Sequence, residues 1–434
     1  MLISTLLYEY LKMIIEVFTM KDVIIIGGGA AGILCAAAIK ENSKEFVNVT
    51  IVERLDRIGK KILATGNGKC NFTNKNLSSK KYNNPKFVTP TLSKYGYKDI
   101  IKYLESIGLL SKEITEGRVY PYTESATTVL EVLKAHLERL GVNIKCNFEV
   151  NKITLKSDKY CIYNKNERNS ILEADYLVFA CGGCAAPVLG SNGSGYALLK
   201  PFKVKTTDLY PGLVGIKSDI TILKILNGLR FKCNVSIIEK KTKNSIWTSY
   251  GEVQFKGDGI SGIVVMEAST YMARNKGNYS ISLDLMPEMS EDDTLYHLYM
   301  RKSLCENDNA LSLFIGMLPK MLGSVILKKA SIDPNDKITT LTKVNMKKIA
   351  SLIKNFTLEV RGDYGFERAQ ITVGGIALNE IDATTLKLKK MNNAYICGEM
   401  MDVDGECGGY NLQWAFSSGY LVGKQIAESV EKNA

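Results

Sequence analysis

The sequence predicts an α/β fold built on a Rossmann-type dinucleotide-binding domain, split in two by an inserted β-rich and helical unit. Three observations carry this. A short apolar run opens onto glycines at the G-x-G-x-x-G spacing. A second apolar run ends in an acid about 20 residues beyond the last of those glycines. A third, near the C-terminus, ends in Gly-Glu ahead of a glycine loop and a long helical pattern.

Val23 to Ile26 is the first run, rich in β-branched residues, as suits a strand buried on both faces of a parallel sheet. Gly27, Gly29 and Gly32 follow, and Ile33 to Ile39 reads as a small-residue helix. Each glycine has its own reason. Gly27 permits the tight turn, Gly29 lets a pyrophosphate approach the backbone, and Gly32 lets the helix lie close to the strand. The unpaired N–H groups of the helix start, around Ala30 and Ala31, then face the phosphates. Val49 to Val52 is the second run. It ends in Glu53, a carboxylate able to accept from both hydroxyls of an adenosine ribose.

Residues 54–74 form a loop dense in Gly, Asn, Thr and Lys, which offers backbone and side-chain donors and the charges of Lys60 and Lys61 to a phosphate-bearing ligand. A helical pattern covers 88–109, and Gly117 to Pro121 is extended. Thr127 to Leu140 is an amphipathic helix closed by Gly141. Strands are expected over 142–150, ending at Val150, and over 160–163. The strand at 176–180 runs through Ala180 into Cys181-Gly182-Gly183-Cys184, whose glycines allow close backbone approach to a ligand at a strand's carboxyl end. The C-x-x-C spacing invites a redox-dithiol reading. Such a pair normally opens a helix, which lowers the first thiol's pKa, whereas this one sits in a strand-end turn with Pro187 close behind.

The expected division is residues 21–194 as the first part of the nucleotide domain, 195–358 as the inserted unit and 359–434 as the second part. Residues 195–358 carry short strands (235–238, 251–255, 279–285) and helical patterns from 291 to 354, with no second glycine fingerprint followed by an acid. The nucleotide domain resumes with a strand at 371–376, a last buried strand at 394–399, a glycine loop over 402–411 and a terminal helix over 412–430. That order suits a flavin ribityl chain at Glu399. It also aims a helix N-terminus, with about half a positive charge, at the ring.

Composition bounds the rest. The chain has 434 residues, 45% hydrophobic and 23% charged, and a formal net charge of +11. The lysines are scattered, as generic solubilising residues are, so nucleic acid is not an expected partner. Ten cysteines without regular spacing fit a reducing cytoplasm and no disulfide framework. Only His136 and His297 are present, and His136 falls in a helical pattern, so a histidine metal site or triad is not expected. Residues 1–20 are apolar but interrupted by Glu9, Lys12 and Glu16, too short and charged for a membrane span. They read as an N-terminal extension of uncertain status, either an amphipathic helix or sequence upstream of a start at Met20.

Four blocks resemble the BaiN-type FAD-dependent oxidoreductases of bacteria, also described as the aminoacetone-oxidase family: 26–32, 60–74, 117–121 and 398–413. The last, G-E-x-x-D-x-D-G-x-x-G-G-Y-N, is the most specific. Weaker matches extend the resemblance from about residue 21 to 428. It implies non-covalent FAD in a split Rossmann domain with an inserted β-barrel-like domain and a helical domain. It implies that Gly27, Gly29, Gly32, Glu53, Arg54 and Lys61 hold the ADP half. Thr65, Gly66, Asn67, Gly398, Glu399, Gly409, Tyr410 and Asn411 would lie along the flavin half. Ala30, Ala31, Val150, Ala180, Gly182 and Gly183 complete the expected cofactor contacts. The chain departs from the commoner pattern at Lys69, Cys181, Cys184 to Ala186 and Cys407, among others, without losing a motif glycine or the ribose acid.

The expected function is an FAD-dependent oxidoreductase passing a hydride between a small or medium organic substrate and flavin N5. NAD(P)H, where used, docks transiently at the flavin face. Reduction of an activated C=C bond is one chemistry; amine oxidation with dioxygen is the alternative, and a flavoprotein of RNA modification is a rival. No catalytic acid or base is readable. Tyr410, Asp402, Asp404 and Arg118 are the polar candidates, with Arg118 the best anchor for an anionic substrate.

Overall fold

The computed structural model describes residues 20–43, 47–167 and 170–432. The expected extension over residues 1–20 therefore lies outside the described residues except for Met20. The chain forms two compact units, one running to Tyr210 and again from Ile371, the other spanning Pro211–Gln370.

The first unit is centred on a five-stranded parallel sheet. Its strands are β1 (Lys21–Ile26), β2 (Val47–Val52), β3 (Asn143–Lys145), β4 (Tyr176–Phe179) and β5 (Ala394–Ile396), in the order β5-β4-β1-β2-β3. Ile26 lies opposite both Val52 and Phe179, and Phe179 opposite Ile396, so four carboxyl ends finish level. The strand order reverses direction beside β1. That switch point opens a crevice outside the carboxyl ends, where open α/β sheets take their ligands.

Helix α1 (Ala30–Asn42) is buried at every position from Ala31 to Ile39, the signature of a helix covered on all sides. The C-terminal helix α2 (Tyr410–Lys432) lies across it. The crossing is close: a Cβ on Gly419 would stand 2.2 Å from the Ala31 carbonyl oxygen, and one on Gly423 2.6 Å from the Ala38 Cβ. Small residues on both helices thus let the chain's last element brace the dinucleotide helix.

Three expectations for this unit change. The pattern over 88–109 is two helices, Pro85–Lys94 and Tyr97–Ser106, interrupted at Gly96. The strand expected over 142–150 is also two. Asn143–Lys145 joins the parallel sheet, while Val150–Lys156 opens an antiparallel hairpin, and Asn147 with φ 55° turns the chain between them. The unit extends past 194, because Tyr196, Leu198, Leu199 and Val204 are buried in its core.

The second unit holds a six-stranded antiparallel sheet running from Ile216–Lys217 at one edge to Phe356–Glu359 at the other. The chain beyond Glu359 returns to the first edge. Lys217 donates to the Gly362 carbonyl (2.9 Å) and Arg361 donates to the Lys217 carbonyl (3.0 Å). The sheet therefore curls into the expected barrel-like form. Three helices, Glu291–Leu304, Lys320–Ala330 and Lys343–Lys354, share one core with it through Leu298, Ile326, Ile349, Val235 and Ile281. Ser290 and Thr342 start the first and third by reciprocal capping with Asp293 and Asn345.

Candidate cofactor site

The glycine turn after β1 separates three roles. Gly27, at φ 111°, needs glycine's freedom, and a Cβ there would stand 2.4 Å from the Ala180 carbonyl oxygen. A Cβ on Gly32 would stand 2.1 Å from the Gly27 carbonyl oxygen. A Cβ on Gly29 would meet nothing within 4 Å. So Gly27 and Gly32 are glycine because the protein leaves no room, whereas Gly29 borders open space at the start of α1. The first-turn N–H groups of α1, at Ala30 and Ala31, have no intrahelical acceptors and belong to the helix end that borders that space.

Glu53, at the end of β2, accepts from Gly28 N–H through Oε2 (2.9 Å) and from Leu55 N–H through Oε1 (2.9 Å). Each carboxylate oxygen keeps a lone pair for a ribose hydroxyl. The N–H of Phe148 donates to the Glu53 carbonyl, which brings Val150, two residues further on, to the same sheet end. Arg54 turns the other way: its guanidinium donates to the carbonyls of Pro187 (2.9 Å) and Gly190 (3.1 Å). It fastens the 187–190 turn and keeps its remaining donors for a ligand.

The strand-end turn at Ala180 to Cys184 joins the glutamate loop through a residue the sequence reading passed over. Thr372 Oγ1 accepts from the Cys184 and Ala185 N–H groups (2.7 and 3.1 Å), while its own N–H donates to Glu399 Oε1 (2.8 Å). Glu399 Oε2 takes Lys61 Nζ at 2.7 Å. Lys61, Glu399, Gly182 and Gly183 thus converge, with Gly398 beside them held by Ser418 Oγ (2.9 Å). The turn itself does not suit a redox dithiol. Burial, the Glu53 charge and Cys397 push the Cys181 thiol up to about 12, and burial raises Cys184 as well.

The third cluster lies at the N-terminus of α2. Thr65 Oγ1 donates to the Ile62 carbonyl, and Gly66 and Asn67 follow in left-handed conformations. Gly409 faces this turn across Asn71. Tyr82 OH donates to the Tyr410 carbonyl (2.8 Å). The Asn411 side chain exchanges hydrogen bonds with Gly405, 2.8 Å each way, so it shapes the 402–406 loop while its backbone stands in the first turn of α2. Asn71 was missed as an individual residue although it lies inside a motif block. It is buried, with neither Nδ2 nor Oδ1 hydrogen-bonded among the described residues.

The residues present fit FAD. Open space stands beside Gly29, spare acceptors at Glu53 and Glu399 suit ribose and ribityl hydroxyls, and an unspent amide lies beside a positive helix end. Arg118 adjoins this end: its Nε would be 3.4 Å from a Cβ on Gly408, and its Nη2 pairs with Glu116 at 2.7 Å. Among the described residues, no helix is long and apolar enough to cross a membrane.

The match to a family model agrees with this architecture. The model of the HI0933-like protein Rossmann domain matches residues 21–425. The 3-dehydro-bile acid delta(4,6)-reductase of Clostridium scindens is 33% identical over 416 residues, covering 94% of this chain and all of that one. The ribosomal RNA dihydrouridine synthase of Haemophilus influenzae is 28% identical over 409 residues, covering 93% and 98%. A flavocytochrome c3 fumarate reductase in its open conformation overlays with a TM-score of 0.49 at 15% identity, covering 95% of this chain and 79% of that one. The resemblance to BaiN-type oxidoreductases read from the motif blocks holds, and the chain belongs to the HI0933-like Rossmann-domain family.

Proposed function

We propose that this chain, an FAD-dependent oxidoreductase, reduces a carbon–carbon double bond activated by a neighbouring carbonyl in a small or medium organic molecule. The carrying observation is the third cluster, where the N-terminus of α2 faces a glycine turn across an unspent buried amide. FAD supplies hydride chemistry at its N5. The chain's residues supply the rest. Gly29 and the start of α1 receive the pyrophosphate. Glu53 and Glu399 accept from the ribose and ribityl hydroxyls. The N-terminus of α2 favours negative charge at the pyrimidine edge. Arg118 holds an anionic group of the substrate through its planar fork. The relative in Clostridium scindens supports this reading by its name, which is that of a bile-acid reductase.

NAD(P)H is the proposed electron donor, docking transiently, and the cytoplasm the proposed location, in keeping with ten free cysteines. Anaerobic mixing of the holoprotein with NADH or NADPH tests the donor. Bleaching of the flavin band within seconds is expected. A flavin that stays oxidised with both nucleotides but bleaches with amines would turn the reading to an amine oxidase.

A second reading keeps the chemistry and changes the carrier. Two relatives are named ribosomal RNA dihydrouridine synthase, and the chain's net charge is +11. The double bond of a uracil is also conjugated to a carbonyl. If RNA carries the substrate, binding weakens steeply with salt and dihydrouridine forms in ribosomal RNA incubated with the reduced protein. Neither result is expected for a free small-molecule substrate.

A further inference from the structure

Asn71 is only 8% exposed, and both polar atoms of its amide lack a hydrogen-bond partner among the described residues. Leaving a buried amide unmade is costly, and native structures rarely do so without a reason. The surrounding side chains have already committed their groups. Thr73 Oγ1 donates to Gln413 Oε1, and Gln413 Nε2 donates to Ser417 Oγ and the Tyr95 carbonyl. Asn74 Nδ2 donates to the Glu116 and Gly408 carbonyls. Among the buried side chains described in this segment, Asn71 is the one whose polar atoms stay unspent.

The backbone on either side is kept clear for it. A Cβ on Gly409 would stand 2.1 Å from Asn71 Oδ1, and one on Gly66 would stand 2.9 Å from the Asn71 backbone nitrogen. Both glycines have positive φ. Asn71 therefore packs between two elements, its backbone against the 65–68 turn and its amide against the start of α2.

We propose that Asn71 reads the pyrimidine edge of the flavin, exchanging a donor–acceptor pair with the N3–H and an adjacent ring carbonyl. This rests on the FAD reading above. The chemistry is complementary: a carboxamide places one acceptor and one donor side by side, and a cyclic imide presents the matching pair in one plane. The same bond pair fixes the rotation of the ring against the positive end of α2. Asn71 is thus a positioning residue that sets how strongly the helix end favours the reduced flavin.

The test uses the full chain stripped of FAD and titrated with FAD or with 3-methyl-FAD, in which a methyl replaces the N3 hydrogen. The unsubstituted chain should bind FAD, and 3-methyl-FAD roughly tenfold more weakly, as expected for a lost pair of hydrogen bonds. Asn71→Leu should weaken FAD by a similar factor and lose the discrimination. Its apoprotein should unfold at the same temperature as the parent or higher, since an unmade buried amide is gone. Asn71→Asp, nearly isosteric, covers the case in which the leucine variant fails to fold; it should bind FAD more weakly and lower the flavin's midpoint potential. Failure of the unsubstituted chain to bind FAD would overturn the FAD reading and this proposal with it. Tight FAD binding with no discrimination, or variants that match the parent in affinity and potential, would overturn this proposal alone.

Discussion

Lys61 and Glu399 stand 338 residues apart in sequence and are joined by an ion pair of 2.7 Å. The glutamate's other oxygen holds the Thr372 N–H at 2.8 Å. The pair ties the helix Lys60–Ala64 to the loop after β5, across the carboxyl end of the sheet.

Substituting Glu399 by glutamine removes the charge but keeps an acceptor for Thr372. Because both partners are part-exposed, the apoprotein should lose no more than about 1 kcal/mol. The affinity for FAD should fall by roughly tenfold, the loss of one hydrogen bond to a charged acceptor. Calorimetric titration of the apoprotein reads this directly. An unchanged FAD affinity alongside a clear loss of stability would make the pair a purely structural clasp.

Gly29 and Gly32 offer a paired test. Alanine at Gly32 places a methyl 2.1 Å from the Gly27 carbonyl oxygen and should cost about 1–3 kcal/mol of stability through overpacking. Alanine at Gly29 enters open space at an ordinary φ of −81°. It should fold with stability within about 0.5 kcal/mol of the parent and yet bind FAD poorly. Thermal unfolding and FAD titration of both variants separate the roles. Equal FAD affinity in Gly29→Ala and the parent would remove the pyrophosphate from this position.

What the sequence made legible were the features written locally. The apolar run 23–26, the glycine spacing and the acid closing β2 lie within one stretch, and the structure joins them through the Glu53–Gly28 hydrogen bond. The unread features needed distant partners. Nothing in residues 60–74 says that Lys61 will meet Glu399, or that Thr372 will link a strand-end turn to that glutamate. Asn71 sits among several polar residues of one loop, and only the folded neighbours show which amide is left unspent. Boundaries failed where one residue turned the chain: Asn147 splits an apolar run into two strands, and Gly96 breaks a helical pattern that is otherwise continuous.

Asp382 predicts an acid-labile contribution to stability. Its Oδ1 accepts from the hydroxyls and backbone N–H groups of Thr384 and Thr385. Led by the Thr384 hydroxyl, these donors hold its pKa at about 2, below the ordinary value near 3.9. A depressed folded-state pKa stabilises the fold above the unfolded value, and the benefit fades as pH falls from about 4 toward 2. Asp382→Asn should therefore cost about 1 kcal/mol at pH 7, allowing for solvent screening, and progressively less below pH 4. Urea unfolding of both chains across that range checks it. A constant difference from pH 7 to pH 2.5 would mean that charge plays no part.

Arg118 makes the substrate side testable. Its side chain is mostly covered, at 22% exposure, beside Gly408 and Asn74, while that of its partner Glu116 is 73% exposed. An exposed carboxylate contributes little to such a pair and yields readily to a better-placed anion. A planar fork grips a substrate carboxylate through two parallel bonds, which an ammonium cannot reproduce. Arg118→Lys should therefore raise KM for an anionic substrate by roughly tenfold, the worth of one charge-assisted hydrogen bond, with kcat nearly unchanged. Glu116→Gln should lower KM or leave it as it is, because it removes a competitor for the same fork. A neutral substrate of the same skeleton should not respond to either change. Steady-state kinetics with a matched acid and amide would decide the matter: equal KM effects on both would place Arg118 in the scaffold of the glycine loop and not in contact with substrate.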